Sequence, residues 1–155
     1  SIIINLQGDM PSLKPSTILK LNEHLRKGSC DIATLASSIK NKSENENKNV
    51  VKVITKDNIK TSDFSKALDF VRDPVSNLKS FVYHHIGIYG FTKNSLSKYV
   101  NLKRSNLELD RNLEQMRALE NNMKIDVLYT DSDPLSVDTQ ADLEEIKNFM
   151  EKENV

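Results

Sequence analysis

Apolar and polar positions fall into blocks whose period switches between that of a strand and that of a helix. Residues 1–6 open with three isoleucines in a row and predict a strand that is apolar on both faces, as in a parallel sheet. Gln7-Gly8-Asp9-Met10-Pro11 ends it, because Gly8 tolerates unusual backbone angles and Pro11 discourages helix at Met10. Ile18, Leu21 and Leu25 recur at helical spacing and predict a helix over 17–27, capped by Ser16 and closed by Gly28. Residues 31–39 have the mix of a second strand. The polar, low-complexity stretch 41–49 (NKSENENKN) predicts a mobile loop.

Residues 50–54 read as a strand, and 61–77 have no decisive period. The aromatic and β-branched run 81–91 (FVYHHIGIYGF) predicts another strand. Asn94 or Ser95 caps a short helix through Val100. Ser105-Asn106-Leu107-Glu108 has the form of a capping box and opens a helix over 106–121, with Leu109, Leu113, Met116 and Leu119 on one side. Residues 124–129 read as a strand. Asp138 or Thr139 caps a last helix with Leu143, Ile146 and Met150 as its stripe. Strands alternating with helices predict an α/β fold: a mainly parallel, Rossmann-like sheet flanked by helices. At 155 residues, 37% of them hydrophobic, the chain fits one domain.

Charge and cysteine usage narrow the classes. The chain has 22 basic and 22 acidic residues, so a blanket affinity for nucleic acid is disfavoured. The charges are unevenly placed: residues 1–105 hold 17 basic and 9 acidic side chains, residues 106–155 hold 5 and 13. No apolar run approaches the roughly 20 residues of a membrane span. One cysteine, Cys30, offers neither an internal disulfide nor a Cys-only zinc site, and a reducing cytoplasm fits it. The chain begins without Met and already inside an apolar run, so the expectation is that an N-terminal part is missing.

Several residues are candidates for chemistry. Asp9 follows a strand in a Gly/Pro loop, where a carboxylate can hold Mg²⁺ or bond local turn amides. Asp138 precedes a helix, where a cap and a metal ligand are both readings. His84 and His85 point to opposite faces of their strand, and Tyr89 shares the face of His85. Gln115 can donate and accept, which suits a polyol; Glu114 and Arg117 beside it read first as a solvated face. The chain has no GxGxxG, Walker A, HExxH or GxSxG motif.

Seven segments, taken in order, resemble the 3-deoxy-manno-octulosonate cytidylyltransferases, the CMP-sugar-acid synthetases. They are Ile4-Asn5-Leu6-Gln7-Gly8-Asp9-Met10-Pro11, Ala33-Thr34-Leu35, Asn49-Val50-Val51-Lys52-Val53, Phe64-Ser65-Lys66-Ala67, His85-Ile86-Gly87-Ile88-Tyr89-Gly90-Phe91, Leu113-Glu114-Gln115-Met116-Arg117 and Val137-Asp138-Thr139-Gln140-Ala141-Asp142-Leu143. The resemblance implies a nucleotidyltransferase in which a sugar acid attacks the α-phosphorus of CTP and releases pyrophosphate, for lipopolysaccharide assembly. It implies Asp9 and Asp138 as catalytic Mg²⁺ ligands. It implies Gln7, Lys66, His85, Tyr89, Glu114 and Gln115 as substrate-binding residues, and a homodimer. The family's N-terminal strand and phosphate-binding loop have no counterpart here, so this stretch alone is not expected to close a CTP site. Met10 stands where the family usually has Glu, and Lys66 where it usually has Arg. Two other readings stand beside the first: the same reaction on a related sugar acid, such as an 8-amino analogue or a sialic-like acid, and a non-catalytic paralogue that only binds.

Overall fold

The computed structural model describes residues 1–76, 80–131, 137 and 139–153. In chain order the elements are β1 (Ile2–Asn5), α1 (Pro15–Arg26), β2 (Ile32–Ser37), α2 (Lys42–Glu46), β3 (Lys52–Thr55), α3 (Ile59–Ser62) and β4 (Phe64–Val71). There follow β5 (Phe81–Thr92), α4 (Lys93–Val100), α5 (Asn106–Arg111), α6 (Gln115–Glu120), β6 (Ile125–Tyr129) and α7 (Gln140–Glu153).

The strands lie in the order β1-β5-β2-β6-β4-β3, and β3 also pairs with the start of β5. The 12-residue β5 is the spine of this sheet. Its last residues run between β1 and β2, antiparallel to both, and its first four run against β3. Among the described residues only β2 and β6 pair in parallel; the sheet is mixed, and the expected mainly parallel arrangement is corrected. The cause is physical. Every residue of β2 is buried because the sheet is covered on both sides, and two-sided cover says nothing of strand direction.

On one side, Leu21 and Leu25 of α1 pack against Ala33, Leu35, Ile86, Ile88 and Leu128, joined by Ile2 and Ile4 of β1. On the other, Leu113, Met116, Ala118 and Met123 around α6 cover Ile32, Phe70, Ile125 and Val127. β1 itself is only half covered, with Ile3 turned outward. Gly90 lies where α1 crosses β5, and a Cβ there would stand 2.5 Å from Leu25 Cδ1.

Local chemistry sets the helix ends, not always as expected. Pro15 begins α1 after Lys14, which makes no side-chain cap, so Ser16 lies in the first turn; Gly28 ends it at φ +70°. The stretch expected as a loop forms α2, capped by Asn41 Oδ1, which accepts from Glu44 N at 2.8 Å. The undecided stretch 61–77 supplies the end of α3 and the whole of β4. Thr92, rather than Asn94 or Ser95, caps α4. The capping box at Ser105 and Glu108 forms, but the single helix expected over 106–121 breaks at Asn112, whose φ of 53° is left-handed. Thr139 caps the last helix reciprocally with Asp142, Oγ1 accepting from Asp142 N at 3.1 Å and Asp142 Oδ2 from Thr139 N at 2.8 Å.

Candidate active site

An irregularity in β5 organises the site. Thr34 of β2 lies opposite Tyr89, yet the next residue, Leu35, lies opposite Ile86, so Gly87 and Ile88 fall outside the one-to-one register. The Thr34 hydroxyl fills the gap. Its Oγ1 stands 2.7 Å from the Ile88 carbonyl, 3.2 Å from that of Ile86 and 2.9 Å from His85 Nε2. The hydroxyl has one proton, which goes to the Ile88 carbonyl at the shortest distance. His85 Nε2–H therefore donates to the hydroxyl oxygen, and Nδ1 is left as an acceptor.

His85 is buried, with Phe70 edge-on at 5.0 Å and the Tyr89 ring 5.6 Å away. Burial, with a smaller contribution from neighbouring His84, pushes its pKa down to about 3, so the ring is neutral at physiological pH. Burial also pushes the Tyr89 phenol up, which keeps it protonated and able to donate. His84 points the other way, as strand alternation requires, and its Nδ1 pairs with Glu44 of α2.

The loop after β1 is tied to this irregularity. Gln7 Nε2 donates to the Gly87 carbonyl at 3.4 Å. Two residues on, the Asp9 carbonyl accepts from Val137 N at 2.9 Å, and the Asp9 side chain is half-buried. That bond brings two acidic segments together, although Asp138 itself lies outside the described residues. A carboxylate at the end of a strand offers hard oxygen of the kind magnesium takes, so Asp9 fits such an ion.

The left-handed turn at Asn112 swings Glu114 and Gln115 towards β5. They border a hollow of about 450 Å³ together with Ile3 and Asn5 of β1, Tyr89 and Phe91 of β5, and Leu96 and Tyr99 of α4. Gln115 is buried and Glu114 exposed; the Tyr99 hydroxyl donates to the Glu114 carbonyl at 3.0 Å. Arg117 is not on a solvated face. Its guanidinium lies 4.9 Å over the Tyr99 ring and forks onto buried Glu108, Nε to Oε2 at 2.8 Å and Nη2 to Oε1 at 2.5 Å. Those bonds hold the Glu108 carboxyl below the usual carboxylate range.

Tyr89, Glu114 and Gln115 thus share one hollow, His85 stands buried beside Tyr89, Gln7 bonds the strand irregularity, and Asp9, two residues on, is tied to Val137. Lys66 is apart from them. It is exposed on β4 and borders a different depression, with Leu119 and Lys124. Residues missed from the sequence are Thr34, Tyr99 and the Glu108–Arg117 pair. Thr34 sits in a motif already noted and Glu108 in the capping box. The nine-residue separation of Glu108 and Arg117, by contrast, follows no helical period and carried no signal.

The model of the cytidylyltransferase family matches residues 1–125. The 3-deoxy-manno-octulosonate cytidylyltransferases of Bartonella tribocorum and Sinorhizobium medicae are each 43% identical to the chain. The matches cover 96% of this chain, and 60% and 59% of theirs respectively. The chain spans about three fifths of the length of these relatives. A solved CMP:2-keto-3-deoxy-manno-octonic acid synthetase complexed with CTP superposes with a TM-score of 0.85 at 29% identity, over 98% of this chain and 62% of that one. A 4-diphosphocytidyl-2C-methyl-D-erythritol synthase from Anaerococcus prevotii shares the fold, at 16% identity and a TM-score of 0.55. With a family model matched from its first residue through the start of β6, this chain belongs to the cytidylyltransferase family.

Proposed function

We propose that the whole protein transfers CMP from CTP to 3-deoxy-manno-octulosonate, giving the CMP-sugar acid and pyrophosphate for lipopolysaccharide assembly. The observation that carries this reading is the 43% identity with an enzyme of that name along 148 residues, 96% of this chain. In the reaction the anomeric hydroxyl oxygen of the sugar acid bonds to the α-phosphorus as the bond to pyrophosphate breaks. Asp9 and Asp138 would hold magnesium, which neutralises phosphate charge and aligns the attack. The Asp9–Val137 backbone bond supports the pairing of those two acidic segments.

The chain's own residues would do the rest. The hollow beside Tyr89 and Gln115 is the candidate sugar-acid site: a protonated phenol and an amide can bond hydroxyls there, and the aromatic wall excludes water. Neutral His85 would orient the ligand through its free Nδ1 lone pair rather than by charge. Gln7 would hold the nucleotide-side loop in register with the hollow. Lys66, which borders a different depression, is kept as a substrate residue by the resemblance alone. A homodimer and a cytoplasmic location belong to the same proposal. Among the described residues no helix is long and apolar enough to cross a membrane.

The test is pyrophosphate release by the full-length protein. Release that requires CTP, magnesium and 3-deoxy-manno-octulosonate together is the expected result. Release only with an 8-amino or sialic-like acid would move the substrate, and none with any of them, from folded protein, would refute the reaction. Asp9→Asn and Asp138→Asn should each abolish turnover; near-normal rates in both would sink the metal assignment.

A further inference from the structure

Away from the hollow, at the far end of α1, three metal-binding side chains meet in the interior. His24 lies in the last turn of α1, Cys30 in the turn before β2 and Asp126 on β6. All three are buried, at 4%, 7% and 1% exposure. Their ligand atoms lie within 4.8 Å of one another. His24 Nε2 is 2.8 Å from Asp126 Oδ2. The other carboxylate oxygen, Oδ1, is buried and within normal hydrogen-bond geometry of no donor among the described residues; the Cys30 thiol is its near neighbour, and burial, then the Asp126 charge, pushes that thiol up to about 12. The Lys124 ammonium stands 3.8 Å from Oδ1, but its side chain is 42% exposed and its Nζ donates to the Ser29 carbonyl at 2.8 Å instead. The Phe64 ring, 4.2 Å from that of His24, shields the cluster.

We propose that His24, Cys30 and Asp126 form a structural site for a borderline divalent cation of the zinc type, distinct from the magnesium site proposed at Asp9. The donor set decides the metal. One imidazole nitrogen, one thiolate and one carboxylate suit zinc or cobalt, while the thiolate and imidazole disfavour magnesium. Tetrahedral zinc sets neighbouring donors roughly 3.3–3.8 Å apart. The present atoms lie within 4.8 Å of one another, and His24 and Asp126, at 2.8 Å, would part slightly to admit the ion. Oδ1 or one water supplies the fourth position. As the metal–sulfur bond forms, the thiol proton leaves to solvent. The ion would staple α1 and the turn after it to β6, two elements that sequence separates by about a hundred residues. It would also replace a buried carboxylate oxygen's missing partner.

The test uses full-length protein stripped with chelator and titrated with Co²⁺. One equivalent should give tetrahedral visible bands and a thiolate-to-cobalt charge-transfer band, displaced by Zn²⁺ but not by Mg²⁺. Cys30→Ser should abolish the charge-transfer band. His24→Asn should weaken binding on the order of tenfold or more. An unchanged band in Cys30→Ser, or none in the unaltered protein, overturns the proposal. Should a variant fail to fold, crystals of unaltered protein grown with zinc decide. An anomalous peak between His24 Nε2 and Cys30 Sγ supports the site, and no peak there refutes it.

Discussion

Replacing Thr34 by valine would remove one hydroxyl from the centre of the site while keeping its shape. Thr34 is fully buried, and three partners meet its Oγ1: the Ile88 and Ile86 carbonyls and His85 Nε2. Valine leaves the Ile88 carbonyl without its donor and the His85 N–H without its acceptor. Each buried orphan costs about 1–3 kcal/mol. The two losses overlap, because a freed imidazole can turn, and the added methyl returns about 0.8 kcal/mol. The net loss should be about 2 kcal/mol. With a urea slope of about 1.5 kcal/mol per molar, the midpoint falls by roughly 1.3 M at unchanged slope.

Thr34→Ser is the control. It keeps the hydroxyl and loses one methyl, worth about 0.8 kcal/mol, so the order of stability should be threonine, serine, valine. Nitrogen-15 shifts of His85 supply a second readout: the Nε2–H tautomer should persist in the serine variant and lose its dominance in the valine variant. A valine variant as stable as the serine one, with an unchanged tautomer, would refute the argument that this hydroxyl secures the irregular stretch of β5.

Two other changes test the packing and the charge network. Gly90→Ala places a methyl 2.5 Å from Leu25 Cδ1 and should cost about 1–3 kcal/mol by overpacking. Trimming Leu25 to alanine in the same chain should then cost clearly less than it does alone, and additive denaturation energies would count against the clash. Glu108→Gln removes the charge that grips Arg117, and should cost about 1.5–3 kcal/mol at neutral pH. The Glu108 carboxyl is held below its ordinary value in the folded protein, so its contribution is complete above the unfolded value and disappears as pH falls through the folded one. The gap between the unaltered protein and the glutamine variant should therefore narrow below about pH 4.5; a gap constant with pH would contradict this.

What the sequence made legible was what neighbours along the chain decide. The capping box at Ser105 and Glu108 needs residues three apart, and it forms as written. The aromatic run that becomes β5 announces a strand through composition alone. Strand direction is different, because it is set by pairing partners far apart in sequence. The left-handed turn at Asn112 was hidden beneath a continuous apolar period, although asparagine is a residue that tolerates that turn. The helix in the polar stretch 42–46 has no apolar face at all. It rests on Asn41 as a cap and on the pairing of Glu44 with His84, forty residues away.

The same distinction bears on the two departures from the family pattern. The site's segments are joined mainly by backbone groups: the Gly87 carbonyl to Gln7, the Ile88 carbonyl to Thr34, the Asp9 carbonyl to Val137. Met10 is partly buried and packs with the α1-side core, and Lys66 is exposed on β4. Neither side chain makes any of those bonds. A change at either position can therefore alter what approaches the site without loosening the frame that holds His85, Tyr89 and Asp9. That is why the substrate panel bears on Met10 and Lys66, whereas the Thr34 variants bear on the frame.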